Sequence, residues 1–493
     1  MRKTENAIQI NEQDNVVVAI QDINESDVVF GVTVRETIAK GHKIAIQEIK
    51  ENETIVKYGY PIGHATQKIE AGCLVHTNNL RTNLNGIVDY QYEPTVRTIT
   101  EKREGTFKGY KRETGKIGIR NEIWIINTVG CVNQVAEKVA SIANEQFKGK
   151  TDGIFTFAHP FGCSQLGEDF LHTQHILANM VNHPNAAGVL VLGLGCENNH
   201  IHAFQDILGT WEDNRVKFLV AQESQDEIAD ALQKISELVT YASSFEREDV
   251  SLSHLVIGLK CGGSDGLSGI TANPLVGKIS DRLVSYGGTT VLSEVPEMFG
   301  AETILMNRCE TKELFDQTVA LINDFKHYFI RYNQEIYENP SPGNKNGGIS
   351  TLEDKSLGCT QKGGTSAVTD VLDYGDTAEK SGLNLLKGPG NDMVAITGLM
   401  AAGCHLILFT TGRGTPVGTA VPTVKIASNS ELAKNKRNWI DFDAGVLLGN
   451  IPIDTLANQF FDYLLALANG DVQTKNEFNG YREISIFKDG VTL

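Results

Sequence analysis

From residue 121 onward, apolar runs of strand length alternate with amphipathic stretches of helix length, and this alternation constrains the fold more than any other feature. Such runs are typical of strands buried on both faces, so the pattern predicts parallel sheets covered by helices. Sheets of this type bind ligands beyond the carboxyl ends of their strands. The predicted strands are 123–129, 153–158, 187–194, 216–220, 255–259, 289–292 and 406–410, and the predicted helices are 133–147, 225–242 and 314–337.

The first 95 residues have a different pattern. Short β-branched runs are separated by Gly, Asn or Asp turns, and helical periodicity is limited to residues 32–40. We therefore predict a small all-β domain over residues 1–95. Its predicted strands are 16–20, 43–46, 54–58 and 73–76.

Residues 96–120 are basic and contain several glycines. Eight Lys or Arg residues face three Glu residues there, a local charge of +5 in a chain whose total is −17. We predict a linker, which is either solvated or laid over an acidic surface or an anion site.

The overall charge limits the partners of the chain. A net charge of −17 disfavours nucleic acid and anionic membranes, although a local cationic pocket could still bind a small anion. The apolar runs are too short to span a bilayer, and no signal-peptide pattern follows the N-terminus. We expect a cytoplasmic protein whose eight Cys are reduced.

The segment 341–364 combines charged side chains with many glycines, which predicts a loop rather than a regular helix or strand. Because glycine lets the backbone approach a ligand closely, such a loop suits a polar substrate or a metal. A solvated surface loop is the alternative. Its charged and thiol residues are Lys345, Glu353, Asp354, Lys355, Cys359 and Lys362.

Polar groups follow several predicted strands. The block Cys261-Gly-Gly-Ser-Asp-Gly266 suits a polyhydroxylated anion or a hard cation. Glu294 and Glu297 are metal-ligand candidates, with ordinary surface glutamates as the alternative. Arg413 lies between two glycines, which fits bidentate recognition of a substrate carboxylate or pairing with a protein carboxylate.

His42 and His76 are polar groups within the predicted β domain, where each is either a structural residue or a proton-transfer group. Six of the eight cysteines lie near glycines. They could hold an iron–sulfur cluster or a single metal ion, or they could be small buried residues in tight turns. These six are Cys131, Cys163, Cys196, Cys261, Cys359 and Cys404.

Taken together, the motifs resemble the altronate/galactarate dehydratase family. The matching blocks span nearly the whole chain in order. They are Asn127-Thr-Val-Gly-Cys-Val-Asn133, Ala158-His-Pro-Phe-Gly-Cys-Ser-Gln165, Gly193-Leu-Gly-Cys-Glu-Asn198, Cys261-Gly-Gly-Ser-Asp-Gly266, Ser268-Gly-Ile-Thr-Ala-Asn-Pro274, Ser341-Pro-Gly-Asn344, Leu352-Glu-Asp-Lys-Ser-Leu-Gly-Cys359 and Thr410-Thr-Gly-Arg-Gly-Thr-Pro416.

This resemblance implies a multidomain protein. Residues 1–95 would form a β-clip (SAF) domain, 121–245 an α/β domain used for dimerisation, and 246–493 a Rossmann-like α/β domain with a metal site. The implied activity is dehydration of a sugar acid with a divalent metal, Fe²⁺ or alternatively Mn²⁺, in a homodimer. The chain is closer to the altronate branch than to the galactarate branch. It departs from the family's His-x-His pattern at His76-Thr77-Asn78.

Within this family resemblance we assign hypothetical roles to individual residues. The acid–base groups are His42, His76 and Lys57; the substrate-binding groups are Arg413, Lys355, Lys362, Ser264 and Asn273; the metal ligands are Asp265, Glu294, Glu297, Asp354 and Cys359. The β-clip domain would close over the site on its linker.

Two alternatives remain at this stage. The chain could be a lyase for galactarate or for a sulfonated hydroxy acid, with the same architecture. It could also bind a sugar acid without catalysis, although the density of acid–base residues in the Gly-rich segments argues against that.

Overall fold

The computed structural model describes residues 1–97 and 102–493. An N-terminal β domain is followed by two α/β units, each built around a parallel sheet. The predicted multidomain fold class, with a small all-β domain ahead of α/β domains, is confirmed. In the described part of the chain, no helix is long and apolar enough to cross a membrane.

The β domain consists of short antiparallel strands in a five-stranded sheet, a three-stranded sheet and a two-stranded hairpin. The segment 32–40, where the sequence shows helical periodicity, is not helical: it begins with a strand, and Ile38 bridges to Ile23. The strands are β1 (Arg2–Lys3), β2 (Ala7–Gln9), β3 (Val16–Ala19), β4 (Val28–Val29), β5 (Val32–Thr33), β6 (Lys43–Ala45), β7 (Thr54–Lys57), β8 (Tyr60–Ala65), β9 (Leu74–Val75) and β10 (Leu80–Arg81).

The region predicted as a linker contains ordered strands. Strands β11 (Thr106–Lys111) and β12 (Ile117–Gly118) pair with each other, and β11 also pairs with residues 247–251. Two of the basic residues are buried here: Arg112 donates to the Pro184 carbonyl, and Arg120 pairs with Glu477 at 2.7 Å. Residues 98–101 of the predicted linker lie outside the described residues.

The middle α/β unit has a four-stranded parallel sheet in the order β14-β13-β15-β16. The chain moves from β13 to one side and then returns to its other side, so the carboxyl ends of β13 and β15 flank a topological switch point. The strands are β13 (Glu122–Asn127), β14 (Ile154–Thr156), β15 (Ala186–Gly193) and β16 (Val216–Val220); the helices are α1 (Asn133–Gln146), α2 (Gly167–Val181), α3 (Ile201–Leu208) and α4 (Glu227–Ala242).

The C-terminal unit is built on a seven-stranded parallel sheet in the order β20-β21-β19-β18-β22-β23-β24. After β17 (Arg247–Ser251), its strands are β18 (Val256–Cys261), β19 (Thr289–Leu292), β20 (Val368–Leu372), β21 (Gly382–Leu386), β22 (Leu406–Thr411), β23 (Thr423–Ala427) and β24 (Phe442–Asp443). Its helices are α5 (Ala272–Ser285), α6 (Glu302–Met306), α7 (Lys312–Arg331), α8 (Pro342–Asn346), α9 (Leu352–Cys359), α10 (Asp392–Ala401), α11 (Ser430–Asn435), α12 (Ile453–Asn469) and α13 (Lys475–Asn479). Every residue of β19, β21, β22 and β23 is buried, as expected for a sheet with both faces covered.

The prediction that 341–364 is a loop is wrong, because α8, α9 and a 3-10 turn at Thr360–Gly363 lie within it. Its glycines do not break these helices. Gly347 follows the end of α8, and Gly358 lies inside α9 where a Cβ would be 3.3 Å from the Cα of Gly269. Glycine permits close packing between segments here. From composition alone, a glycine needed for close packing looks the same as a glycine in a flexible loop.

The β domain docks onto the carboxyl edge of the seven-stranded sheet through a backbone contact. Gly41, at φ +87°, lies against Gly266 and Gly348. A Cβ on Gly266 would be 1.9 Å from the Gly41 carbonyl oxygen, and one on Gly348 would be 2.2 Å from it. Neither position can carry a side chain without separating the two domains.

We expect Gly266→Ala to weaken domain docking by about 1–3 kcal/mol, the usual cost of overpacking. Limited proteolysis at residues 84–97 should then be faster by about tenfold or more, since tenfold corresponds to about 1.4 kcal/mol. Gly343→Ala is the matched control, because a Cβ there meets nothing closer than 3.9 Å. Equal cleavage rates for the two variants would contradict the docking contact.

Candidate active site

Helix α9 is buried along its whole length although it carries four polar or charged residues. The Thr351 hydroxyl caps its N-terminus by accepting from the Asp354 N–H. A polar helix in the protein interior needs partners for every side chain, because unpaired buried charges are costly. Asp354, Lys355 and Cys359 find those partners in two neighbouring clusters, which together form the candidate site.

The first cluster joins the β domain to α9. Lys43 and Lys57 each donate to one oxygen of the Asp354 carboxylate, both at 2.8 Å, and all three side chains are almost completely buried. Burial alone would raise the pKa of Asp354, but the two ammonium groups lower it well below its ordinary value. Burial lowers the pKa of Lys43 to about 8. Asp354 is therefore an ionised carboxylate that holds the domains together.

The second cluster contains two thiols and a carboxylate. Cys261 at the end of β18, Glu297 after β19 and Cys359 at the end of α9 offer ligand atoms within 4.8 Å of one another. The two Sγ atoms are 3.3 Å apart, and each lies within 3.2 Å of the Glu297 carboxylate. All three residues are buried. Adjacent parallel strands thus bring together residues that are far apart in sequence.

Three buried lysines surround this second cluster. Lys260 pairs with Glu294 and with Asp392; Lys355 donates to Glu297 at 2.7 Å; and Lys362 lies 3.0 Å from Cys261 Sγ and 3.3 Å from Glu294. The ammonium groups outweigh burial and lower the pKa of Glu297 well below its ordinary value. The three ammonium groups are thus matched in number by the carboxyl groups of Glu294, Glu297 and Asp392, and burial together with Glu297 raises the pKa of Glu294.

This charge balance fits a divalent cation once the thiols ionise. The hydrogen bond with Cys261 and burial raise the pKa of Cys359, so its thiol is protonated before a metal binds and must then lose that proton. Two thiolates would then supply the two negative charges that a divalent ion needs. The mixture of thiolate and carboxylate oxygen suits Fe²⁺ or Zn²⁺ better than Mg²⁺ or Ca²⁺, which prefer oxygen alone.

A histidine pair lies beside the first cluster. The rings of His42 and His76 meet edge to face with centroids 5.2 Å apart. His76 Nδ1 is 2.9 Å from Ser350 Oγ, and its Nε2 has no hydrogen-bond partner in the described part of the chain. Burial, helped by Lys43 and His42, lowers the pKa of His76 to about 4. At neutral pH the ring is therefore uncharged and can accept a proton.

Two further polar groups near the clusters lack protein partners among the described residues. The Ser264 hydroxyl is buried without a hydrogen bond, although it lines a cavity between the clusters. Arg413 is exposed in the loop after β22, and its Cβ lies near Gly263 in the loop after the neighbouring strand β18. An unpaired hydroxyl and an unpaired guanidinium at one sheet edge suit a ligand that carries hydroxyl and carboxylate groups.

The cavity between the clusters is nearly closed. It is lined by Lys57, Tyr58, Asp354 and Cys359 among others, and its volume is about 10 Å³. That volume admits about one water molecule. A much larger cavity of about 840 Å³ is lined by His172, Tyr328 and Gly388 among others, but it touches neither cluster.

The structure brings together many, but not all, of the residues proposed from the sequence. Glu297 and Cys359 lie in the possible metal group, and Glu294 lies beside it. Asp354 is instead paired with lysines, and Asp265 accepts from Ser428 and Asn429. Among the proposed substrate-binding residues, Asn273 is occupied by Thr410 and Gly358, and Lys355 and Lys362 are paired within the second cluster.

Sequence reasoning did not assign roles to Cys261, Lys43 and Lys260. The lysines carried a usable signal, since each lies within an apolar strand, where a charged residue is unusual. Cys261 was part of a recognised block, but nothing in the sequence placed it beside Cys359, 98 residues away.

Comparisons with known proteins agree over the whole chain. Family models match in order: the altronate/galactarate dehydratase SAF domain at 5–83, the D-galactarate dehydratase/altronate hydrolase second domain at 109–243, and the D-galactarate/altronate dehydratase C-terminal domain at 252–492. Altronate dehydratases of Bacillus subtilis (strain 168) and Escherichia coli (strain K12) are 52% and 51% identical, each over 99% of both chains. The galactarate dehydratase (L-threo-forming) of Escherichia coli (strain K12) is 31% identical, over 97% of this chain and 96% of its own length.

Asp354→Asn should lower the free energy of unfolding of the docked structure by about 3–5 kcal/mol, because it leaves two buried lysines without their anion. Since the native pKa of Asp354 is lowered, its contribution is present at pH values above about 4 and declines as the pH falls further. The variant and the wild type should therefore differ in urea midpoint at pH 7 and converge in acid. Asp316→Asn, which removes only the exposed pair with Lys312, should cost no more than about 0.5 kcal/mol. A wild-type midpoint for Asp354→Asn at pH 7 would exclude this role.

Binding of Fe²⁺ or Zn²⁺ should release protons and strengthen as the pH rises, because Cys359 must lose its proton. Anaerobic calorimetry in two buffers with different ionisation enthalpies measures this release. Cys359→Ser should weaken binding by about tenfold or more, a loss of at least about 1.4 kcal/mol. Cys309→Ser is the control, since that buried thiol contacts Thr318 instead. If Cys359→Ser bound metal as tightly as the control, Cys359 would not be a ligand.

Proposed function

Because the chain belongs to the altronate/galactarate dehydratase family, we propose that it removes water from D-altronate to give 2-dehydro-3-deoxy-D-gluconate. The predicted family and the predicted class, a hydro-lyase of the altronate dehydratase type, are confirmed by relatives that align over 99% of the chain. One observation favours altronate as the substrate: the two altronate dehydratases share 52% and 51% of residues with this chain, against 31% for the galactarate dehydratase.

The reaction removes the C2 proton and the C3 hydroxyl of a 2,3-dihydroxy acid. The resulting enol becomes the 2-keto-3-deoxy acid, so one molecule of water is the second product. The C2 proton is only weakly acidic, because the adjacent carboxylate already carries a negative charge. The site must therefore stabilise added charge on that carboxylate and supply a base for the proton.

We assign metal binding to Cys261, Glu297 and Cys359, which together would hold the ion. A divalent ion bound there supplies Lewis-acid stabilisation of negative charge on the substrate. Lys355 and Lys362 keep the carboxylate and the Cys261 thiol in place through contacts of 2.7 and 3.0 Å. Arg413 and the Ser264 hydroxyl are assigned to the substrate carboxylate and a substrate hydroxyl, because both lack protein partners among the described residues.

The histidine pair is assigned the proton transfers. His76 is uncharged at neutral pH, and Ser350 orients its ring through Nδ1, which leaves Nε2 to accept the C2 proton. The pKa of His42 is also lowered by burial. The pair can then donate the proton taken from C2 to the departing C3 hydroxyl, which leaves as water. Both rings return to their uncharged state after each turnover. Lys57, held by Asp354, positions the adjoining β-domain strand.

Substrate entry requires the β domain to move. With the domain docked, the space between the clusters is about 10 Å³, far too small for a six-carbon acid. Residues on both domains contribute to the site, so undocking opens it and docking completes it. We propose that the structure represents the closed arrangement, in which water is excluded from the reacting centre.

The identity of the metal, the cellular location and the oligomeric state are also part of this proposal. Fe²⁺ is the proposed metal, with Mn²⁺ as the alternative, and the protein is proposed to be a cytoplasmic homodimer formed through the middle α/β unit. Metal analysis of protein purified under anaerobic conditions tests the first point, and light scattering after size-exclusion chromatography tests the dimer. Zinc as the sole bound metal, or a monomer, would overturn the corresponding point.

The central test measures keto-acid formation from D-altronate and from galactarate in parallel. Chelator-treated protein is assayed with and without Fe²⁺ plus a thiol reductant. We expect Fe²⁺ to restore turnover of altronate and to leave galactarate largely unused. Turnover of galactarate alone would reassign the substrate, and binding of either acid without turnover would support a non-catalytic role.

His76→Asn should lower kcat by about 10²–10⁴-fold, the usual contribution of general acid–base catalysis, with little change in KM. His64→Asn is the control, because His64 lies on the same domain but contacts Asn83. In the wild type, kcat should fall only as the pH drops through about 4, because His76 accepts protons in that range while the β domain is docked. An acid limb near the ordinary histidine pKa, or unchanged kcat in His76→Asn, would remove His76 from the mechanism.

A further inference from the structure

Three Gly–Cys pairs occupy one edge of the four-stranded sheet in the middle α/β unit. Cys131 follows β13, Cys163 follows β14 and Cys196 follows β15, each directly after a glycine. These three strands are parallel neighbours, so their carboxyl ends lie side by side. The edge includes the switch point beside β13, where open α/β sheets bind ligands. The proposed dehydration does not use any of these cysteines.

Hydrogen bonds tie the three cysteine loops to one another. The Gly130 N–H donates to the Phe161 carbonyl at 2.9 Å, which joins the first loop to the second. The Asn199 N–H donates to the Gly162 carbonyl at 3.0 Å, and the Ser164 N–H donates to Asn198 Oδ1 at 2.8 Å, which join the second loop to the third. The cysteines therefore lie on one continuous surface rather than on independent loops.

The glycines permit this convergence. A Cβ on Gly162 would be 1.9 Å from the Thr128 carbonyl oxygen, and a Cβ on Gly130 would be 2.5 Å from the His159 carbonyl oxygen. Gly162 and Gly195 also adopt positive φ angles of +99° and +129°. Larger residues would separate the loops, so the glycines set the spacing of the cysteines that follow them.

The exposure of these thiols is unusual. Cysteine is among the most buried residue types, and four of the eight cysteines in this chain are buried. The three exposed cysteines are Cys131, Cys163 and Cys196, all at this edge. Packing does not explain three exposed thiols on adjoining loops, whereas ligation of a shared metal centre does.

We propose that Cys131, Cys163 and Cys196 bind an iron–sulfur cluster at this edge. In an iron–sulfur cluster the cysteine thiolates bind different iron atoms. Their sulfur atoms therefore lie farther apart than the ligand atoms of a single metal ion. Among the described residues, the ligand group within 4.8 Å is that of Cys261, Glu297 and Cys359, and the three exposed thiols do not form so tight a group. Gln222 donates to Cys196 Sγ at 3.5 Å, a hydrogen bond of the kind that tunes such clusters.

Three cysteines leave one iron of a four-iron cluster with a position for a ligand other than cysteine. Since the thiols are exposed, solvent or a small oxyanion can reach that position. The cluster should therefore be lost on exposure to air. This proposal is independent of the dehydration reaction, because it concerns different residues and a different readout.

The test is anaerobic reconstitution of the full-length protein with Fe²⁺, sulfide and a thiol reductant, followed by desalting. Iron and acid-labile sulfide per chain are measured, together with visible absorption and Mössbauer spectra. We expect labile sulfide bound in the wild type and reduced about tenfold or more in each of Cys131→Ser, Cys163→Ser and Cys196→Ser. Circular dichroism checks that each variant is folded.

Two controls separate this site from the others. Cys73→Ser alters a partly exposed thiol in the β domain, and Cys359→Ser alters the proposed single-metal site. Both should retain wild-type labile sulfide. Reconstituted protein without labile sulfide, or sulfide that persists when all three cysteines are replaced together, would overturn the proposal. So would binding of zinc or a single iron at these thiols without sulfide.

Discussion

The Asp354 carboxylate, held by Lys43 and Lys57, is the interaction on which the architecture of the site depends. The two lysines belong to the β domain and the carboxylate to α9, so this triad determines how the domains meet. Burying three charges is expensive, and only complete pairing offsets the loss of hydration. In the docked structure all three groups are buried together, so the pairing of Asp354 with both lysines is what offsets their loss of hydration.

The same helix connects docking to chemistry. Cys359 lies at the end of α9, five residues after Asp354, and contacts Cys261 and Glu297. His76 reaches the same region from the β domain through Ser350, whose N–H donates to Asp354. The docked β domain thus places a neutral imidazole beside the Asp354 triad, whose carboxylate lies on the helix that also carries Cys359. This dependence explains why the polar residues of α9 remain in the interior, where apolar residues would be easier to bury.

The sequence predicted the regular elements well where hydrophobic periodicity was strong. Strands β13, β15, β16 and β19 and helices α1 and α4 lie within a few residues of their predicted positions. The predictions failed where glycine was read as flexibility. Segment 341–364 forms helices instead. Its Gly358 lies inside a helix, where it allows close contact with Gly269 rather than a bend. Composition records the glycine but not the backbone that packs against it.

The sequence by itself determined the fold class, the family and most of the chemical inventory, because periodicity and ordered motifs are properties of the linear chain. Glu297, Cys359, His42 and His76 could be chosen as candidates on that basis. Only the tertiary structure decided which carboxylate meets lysines and which meets thiols. Asp354 and Cys359 are five residues apart yet belong to different clusters, since α9 presents them to different neighbours. Partners that lie 98 to 311 residues apart along the chain meet only through strand order and domain docking.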